Sequence, residues 1–213
     1  NLVVDKAIVR PIASGYRWIF PSFMRNAFKN LIDNLGEPLN VANSLLQGEI
    51  GRAGTAAGRL LVNSTLGFGG LFDVADTLGL KDATEDFGQT LAVWGTGEIA
   101  YLVLPILGPS SVRDGVGRGV DFFLNPINHA LDNADLEWVG WTMMAVDGVD
   151  QRSRHIETLD EIERTSVDYY AAIRSLYRQM RHDSIHNGEA TDDNPFAGDS
   201  QPFVDDDELS NVN

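Results

Sequence analysis

The chain has 213 residues, 43% of them hydrophobic, with 21 glycines, 8 prolines and a formal net charge of −15. This composition excludes a disordered chain and a polytopic membrane protein, and at ~100–200 residues per domain it suffices for one sizeable core. The acidic balance and the scattered placement of the 16 Lys and Arg argue against a nucleic-acid partner, because phosphate contacts need massed cations.

Residues 2–10 are apolar with β-branched members and halt at Pro11, which predicts a short helix or an extended lead-in. Pro21 and Ser22 then open a helix. Phe23, Ala27, Phe28, Leu31, Ile32 and Leu35 share one helical face of it, and Gly36 ends it. Pro38 begins the next helix, with Leu39, Ala42, Leu45 and Leu46 inward and Gly48 as its stop. Residues 50–62 read as a helix rich in small side chains, where Gly54 and Gly58 imply close approach of another backbone or a bend. Residues 63–70, Asn-Ser-Thr-Leu-Gly-Phe-Gly-Gly, form a hinge or tight loop, and residues 72–78 a short helix ended by Gly79.

Residues 85–94 give another helix, with Phe87, Leu91 and Trp94 on one side and Gly95 closing it. The longest unbroken apolar run, residues 99–107, comes next, between glycines at 95, 97 and 108 and with Pro105 inside it. Nine residues fall short of the ~20 needed to cross a bilayer as a helix. The run reads as a stiff apolar hairpin, and its periodicity leaves open whether it fills a core or faces lipid. Pro109, Ser110 and Ser111 cap a helix bearing Val112, Val116, Val120, Phe123 and Leu124, loosened by Gly115, Gly117 and Gly119. Pro126 starts a further turn. Residues 136–158 read as one long helix with Leu136, Val139, Met143, Val146 and Ile156 inward, and Asp168 as the N-cap of a last helix that Gly188 ends. Residues 189–213 have no periodicity and predict a disordered acidic tail, separate from a domain over residues 1–188. The fold class is all-α: many short helices jointed at glycine.

The chain has no cysteine, which removes disulfides, thiolate metal sites and a cysteine nucleophile. His182 and His186 stand at i, i+4 as in a zinc helix, but Asp183 replaces the glutamate and no third ligand follows. Histidines near a helix C-terminus also complement its dipole. Gly67-Phe68-Gly69-Gly70 lacks the Lys-Ser/Thr of a phosphate loop and reads as a backbone joint. Asp73 with Asp76, and Glu85 with Asp86, sit where carboxylates cap helices. No nucleophile has a positioned base, and no signal peptide or lipobox is present. The chain opens at Asn1 rather than Met, so the expectation is a processed form without its targeting segment.

Several motifs recur in a family-like order: Glu37-Pro38 with Asn43; Leu46-Gln47-Gly48; Arg59 leading into Asn63-Ser64-Thr65-Leu66-Gly67-Phe68-Gly69-Gly70-Leu71-Phe72-Asp73; Asp86-Phe87-Gly88-Gln89-Thr90-Leu91; Trp94-Gly95-Thr96-Gly97; Tyr101-Leu102-Val103-Leu104-Pro105; and Gly108-Pro109-Ser110 to Arg113-Asp114. By these the chain, from about residue 1 to 188, resembles the MlaA (VacJ) family of outer-membrane lipoproteins. The resemblance implies a ring of helices in the periplasmic leaflet of the outer membrane. An amphipathic channel through it removes mislocalised phospholipid from the outer leaflet, passes it to a soluble periplasmic carrier of the Mla system, and so maintains lipid asymmetry. It further implies a trimeric porin as membrane partner, phospholipid as the transported ligand, no cofactor and no catalysis. The family's lipidated cysteine is absent from this chain. Ile99-Ala100 also stand where the family has Gly-Pro, which makes the turn into the hairpin less rigid or moves it back to Gly97.

On that reading the lipid-channel candidates are Tyr101, Leu102, Val103, Leu104, Pro105, Ile106 and Leu107 for acyl chains. Arg113 is the candidate for the lipid phosphate, which a guanidinium pairs bidentately. An ion pair of Arg113 with Asp114 is the equal alternative. Gly67, Gly69, Gly70, Gly95, Gly97 and Gly108 are the hinge candidates. The alternative function is a non-transporting helical adaptor at the outer membrane, bound through the same hairpin, and the acidic tail either attracts a basic partner or only solubilises.

Overall fold

The computed structural model describes residues 5–104 and 108–188. The lead-in residues 2–4, the channel candidates Pro105, Ile106 and Leu107, and the acidic tail lie outside them. A π-helical turn, Asp5–Val9, runs into α1, Arg10–Ile19. Pro11 is therefore not the predicted stop: it lies in the first turn of α1, where a helix tolerates proline best, directly after the change from π- to α-helical pairing.

Helix α2, Ser22–Gln47, is one element where two were expected, and Pro38 lies inside it. The chain stays helical because Asn34, Glu37, Asn40, Asn43 and Ser44 form one buried face that continues past the proline. Gly48, at φ +83°, ends α2 and returns its N–H to the Leu45 carbonyl, as the sequence predicts. α3, Ile50–Thr65, packs back along α2. A tight loop and the short α4, Val74–Thr77, lead to α5, Phe87–Val93. The hairpin strands β1, Tyr101–Leu104, and β2, Gly108–Ser111, follow. Then come α6, Val112–Leu124; α7, Pro126–Asn133; α8, Glu137–Arg154; α9, Ile156–Thr165; and α10, Tyr169–Ile185.

The predicted single helix over 136–158 is thus broken at His155. There the ring Nδ1 contacts the Gln151 carbonyl at 2.8 Å and the Ser153 hydroxyl donates to the Asp150 carbonyl, so side chains compete for acceptors that the helix would use. Asp168 caps α10 as expected, accepting from the Ala171 N–H at 3.1 Å. The helices close a circuit: α2 packs on α8, α8 leads through α9 to α10, α10 packs on α5, and α5 returns to α2. Among the described residues the fold is all-α with one two-stranded sheet.

Of the side chains expected inward, Leu39, Val139, Met143, Val146 and Ile156 are half-buried, whereas Ala42 and several large ones face out. Among the described residues the fully buried apolar side chains are alanines, Ala13, Ala53, Ala56 and Ala75, whereas Glu37, Asn43, Arg59, Glu85, Thr90, Asp114 and Asp150 are buried. Trp18 is 87% exposed, Phe23 71% and Phe123 72%; Leu45, Leu46 and Leu136 also face outward. An apolar face marks the side that leaves water, and leaving water need not mean entering the protein core. No helix among the described residues is long and apolar enough to cross a membrane.

Glycines play different parts from those expected. Nothing approaches the position of a Cβ on Gly54, and Gly58 meets only the tip of Leu80, so α3 is not a seat for another backbone. Gly117, read as loosening α6, instead permits backbone contact: its Cβ would lie 2.3 Å from the Gly88 nitrogen of α5. α6 is thereby pressed onto α5 rather than loosened.

Candidate functional site

The hairpin pairs Tyr101 with Ser111, Leu102 with Ser110, Val103 with Pro109 and Leu104 with Gly108. Strand alternation puts Tyr101 and Val103 on one face and Leu102 and Leu104 on the other. The Tyr101 ring packs against Tyr170 and Tyr177 of α10, with centroids 5.6 and 5.7 Å away, and the Arg174 guanidinium lies 5.9 Å from its centre. Leu102 is 40% exposed on the opposite face. The turn into β1 stays at residues 98–100, where the Ala100 N–H donates to the Glu98 carbonyl and Ile99 takes φ +64°. It has not moved back to Gly97.

At the foot of the hairpin, Ser111 caps α6 by accepting from the Asp114 N–H at 3.0 Å. Arg113 turns inward: its Nε donates to Asp114 at 2.9 Å and its Nη1 reaches the Thr96 carbonyl. Asp114 also accepts from the Tyr177 hydroxyl and, at 2.9 Å, from Arg181. Arg181 grips Asp86 through two bonds of 2.6 Å, and Asp86 caps α5. Burial by itself would raise the Asp114 pKa, but hydrogen bonds from Arg113 and Tyr177 and the charge of Arg181 hold it at about 2. Burial and the Asp114 carboxylate push the Tyr177 hydroxyl up to about 12.

A second polar system runs along α2. Arg59 of α3 donates to Glu37 at 2.7 Å, to Asp73 at 3.0 Å and to the Leu80 carbonyl at 2.7 Å. Asn63 bridges Asp73 and the Ala75 N–H. Asn43 donates to Asp121 of α6, which also accepts from the Phe87 N–H, and Thr90 returns a bond to Asn43. Glu85 takes Gln47 and Arg52 side chains and sets its own N–H on Asn40. These bonds place α3, α5 and α6 around one buried polar spine. Periodicity of apolar residues misses it, yet Asn34, Glu37, Asn40 and Asn43 recur every three residues, and that was the available signal.

Residues 66–72 form the tight loop of the two readings. The Gly70 N–H donates to Asn63 and the Phe72 N–H to Gly67, and a Cβ on Gly67 would stand 2.2 Å from the Phe72 carbonyl. Gly70, at φ +97°, leaves space for the Asn34 side chain. Gly69, Gly95 and Gly108 also take positive φ; Gly97 does not. His182 and His186 stack with centroids 4.1 Å apart, and no metal-binding group of three occurs among the described residues.

A family model described as MlaA lipoprotein matches residues 1–184. The chain is 35% identical over 193 residues to the intermembrane phospholipid transport system lipoprotein MlaA of Escherichia coli, across 87% of this chain and 72% of that one. It is 28% identical over 194 residues to the protein of the same name in Haemophilus influenzae, across 88% and 74%. It is 35% identical over 190 residues to an uncharacterized protein of Rickettsia prowazekii, across 89% and 74%. A solved structure concerning the structural basis for maintenance of bacterial outer membrane lipid asymmetry shares the fold, with a TM-score of 0.75 at 29% identity, covering 86% of this chain and 90% of its own.

Proposed function

The chain belongs to the MlaA lipoprotein family, and from that premise we propose that it transports phospholipid between membranes and maintains outer-membrane lipid asymmetry. The observation that carries this reading is the inverted polarity. A phospholipid needs an apolar surface for its acyl chains and polar groups for its headgroup, and this fold has large apolar side chains outside and paired polar ones within. Bilayer hydrocarbon is the solvent in which such an exterior is stable.

In the proposed mechanism the ring sits in the periplasmic face of the outer membrane, held there by a lipid anchor in the full-length protein. It withdraws phospholipid from the outer leaflet and hands it to a periplasmic carrier, with a trimeric porin as membrane partner. The face of the hairpin that carries the exposed Leu102 and the half-buried Leu104 guides acyl chains. Arg113 secures the base of the hairpin through Asp114, and would meet a lipid phosphate only by leaving that carboxylate. The glycines at 67, 69, 70, 95, 97 and 108 set the tilt of the elements they join, and the acidic tail is a solubilising end.

Lipid recovery tests this. Protein extracted in mild detergent should carry phospholipid detectable by mass spectrometry. The double variant Leu102→Asp, Leu104→Asp should lose it while melting as the parent does. Equal recovery from the variant would remove the hairpin from the path. No lipid on the parent, with no change in cellular asymmetry when the protein is deleted, would leave the adaptor reading instead.

A further inference from the structure

The ring is not fastened equally all round. α10 is locked to α5 and α6 by Arg181, which bonds the half-buried Asp86 and the buried Asp114, and α2 to α5 and α6 by Asn43, Thr90 and Asp121. The α9 arc differs. Like α7 and α10 it has no fully buried residue, and its Ile156, Leu159 and Ile162 are only half-covered; what sets it apart is the exposure of the charges that tie it. It is bounded by the helix break at His155 and by the non-helical residues 166–168. Across its length it is tied to the N-terminal segment by an antiparallel ladder: Lys6 with Glu163, Arg10 with Asp160 at 2.5 Å, and Arg17 with Glu157 at 2.5 Å. Every member of the ladder is a third or more exposed, so these pairs are weak and salt-screened.

The N-terminal segment has a firmer root of its own. Asp5 takes two bonds of 2.7 Å from Arg152 of α8, and Ala13 is wholly buried as α1 packs on α8. An open cleft of about 410 Å³ lies along the ladder, lined by Lys6, Arg10, Asp160, Glu163 and Arg164. The α9 arc is thus latched by exposed charges, whereas α10 meets α5 and α6 at the buried Asp114, and α2 meets them at the buried Asn43, Thr90 and Asp121.

We propose that α9 is a side gate of the ring, latched to the N-terminal segment by Lys6–Glu163, Arg10–Asp160 and Arg17–Glu157, through which phospholipid passes laterally. The proposal rests on the phospholipid-transport reading. A closed ring would drag both acyl chains across paired polar groups, at a large desolvation mismatch. An arc that swings out lets the headgroup move along the polar interior while the chains stay outside.

The absence of cysteine makes the test direct. The pair Lys6→Cys, Glu163→Cys is bridged with a short disulfide-containing bis-maleimide, and transfer of fluorescent phosphatidylethanolamine between donor and acceptor vesicles is followed. The bridged protein should transfer at least tenfold more slowly than the same double variant unbridged and recover when the linker is reduced, whereas each single-cysteine variant treated alike should transfer at the parent rate or faster, since each also breaks one latch pair. Transfer by the bridged protein at the parent rate overturns the gate and leaves the transport reading intact. A parent protein that neither transfers nor carries lipid overturns both. As a second variant, Arg10→Asp should speed transfer a few-fold by opening the latch, and adding Asp160→Arg should return it to the parent rate; an Arg10→Asp rate equal to the parent's also counts against the gate.

Discussion

Gly117 of α6 stands against Gly88 of α5 so closely that a Cβ on Gly117 would lie 2.3 Å from the Gly88 nitrogen and 2.6 Å from its Cα. This contact seats α6, and with it the foot of the hairpin, on the helix that Asp86 caps. Neither backbone atom can yield as a flexible side chain would. Gly117→Ala should therefore destabilise the fold by roughly 1–3 kcal/mol, the range for overpacking. Gly115→Ala, two residues away with nothing near its Cβ position, should gain up to ~1 kcal/mol from helix propensity. Thermal unfolding of both variants in the same detergent checks the opposite signs.

Arg59 and Glu37 are each almost completely buried and bonded at 2.7 Å. Removing one partner strands the other's charge, so Arg59→Ala should cost on the order of 3–5 kcal/mol. Glu37→Gln keeps the side-chain shape and leaves Arg59 its bond to Asp73, although its amide N–H must face a donor, Arg59 or Asn40, and it should cost less than Arg59→Ala. Chemical denaturation of the two variants gives the ranking; an Arg59→Ala loss below that of Glu37→Gln would contradict the buried-pair account.

Some element boundaries were legible in the sequence, because caps are local chemistry, while the expected breaks at Pro11 and at Gly36 with Pro38 do not occur. Ser22, Gly48 and Asp168 mark their helix ends from side-chain or backbone preference alone, whereas the last helix stops at Ile185, three residues before the expected Gly188. The direction in which each helix faces was not legible. Phe23, Leu45 and Leu46 follow helical spacing, and spacing says only that one side differs from the other. Which side is the interior depends on the solvent, and here the polar side of α2 turned inward. The motif residues Glu37, Asn43, Arg59, Asn63, Asp73, Asp86 and Asp114 carry the family resemblance, and the structure shows why they come together: they are members of the buried polar systems. The continuity of α2 through Pro38 was hidden for the same reason, since it depends on bonds to residues far along the chain.

Asp114 predicts an acid limb of stability. Its pKa is about 2 in the fold against ~3.9 in an unfolded chain, so the unfolded state binds the proton first as pH falls. The contribution is full above about pH 4 and is lost between about pH 4 and 2, and it amounts to on the order of 2 kcal/mol. Asp114→Asn should lose about that much at pH 7 and converge on the parent near pH 2. Tyr177 acts at the other end: held up to about 12, it supplies stability that is full below about pH 10 and fades as pH rises through 12. Urea unfolding of parent, Asp114→Asn and Tyr177→Phe across this range reads both limbs.

The inverted exterior makes a prediction that separates a lipid-facing surface from an ordinary wet one. Leu61 of α3 is 66% exposed and Phe123 of α6 is 72% exposed. In water, polar substitution at such positions would change little, typically within ±0.5 kcal/mol. Against hydrocarbon, each large side chain contributes about 1.5–3 kcal/mol by its burial. Leu61→Glu with Phe123→Glu should therefore weaken vesicle association by about a hundredfold or more, since 1.4 kcal/mol is a factor of ten. Their melting in detergent should stay near the parent's, because neither residue supports the buried polar spine. Flotation with phospholipid vesicles measures the partition. Unchanged flotation would mean these apolar faces meet something other than lipid, and an equal loss of folding stability would mean they are covered within the protein. Only a fall in flotation with stability retained fits a ring whose outer surface is dissolved in the bilayer.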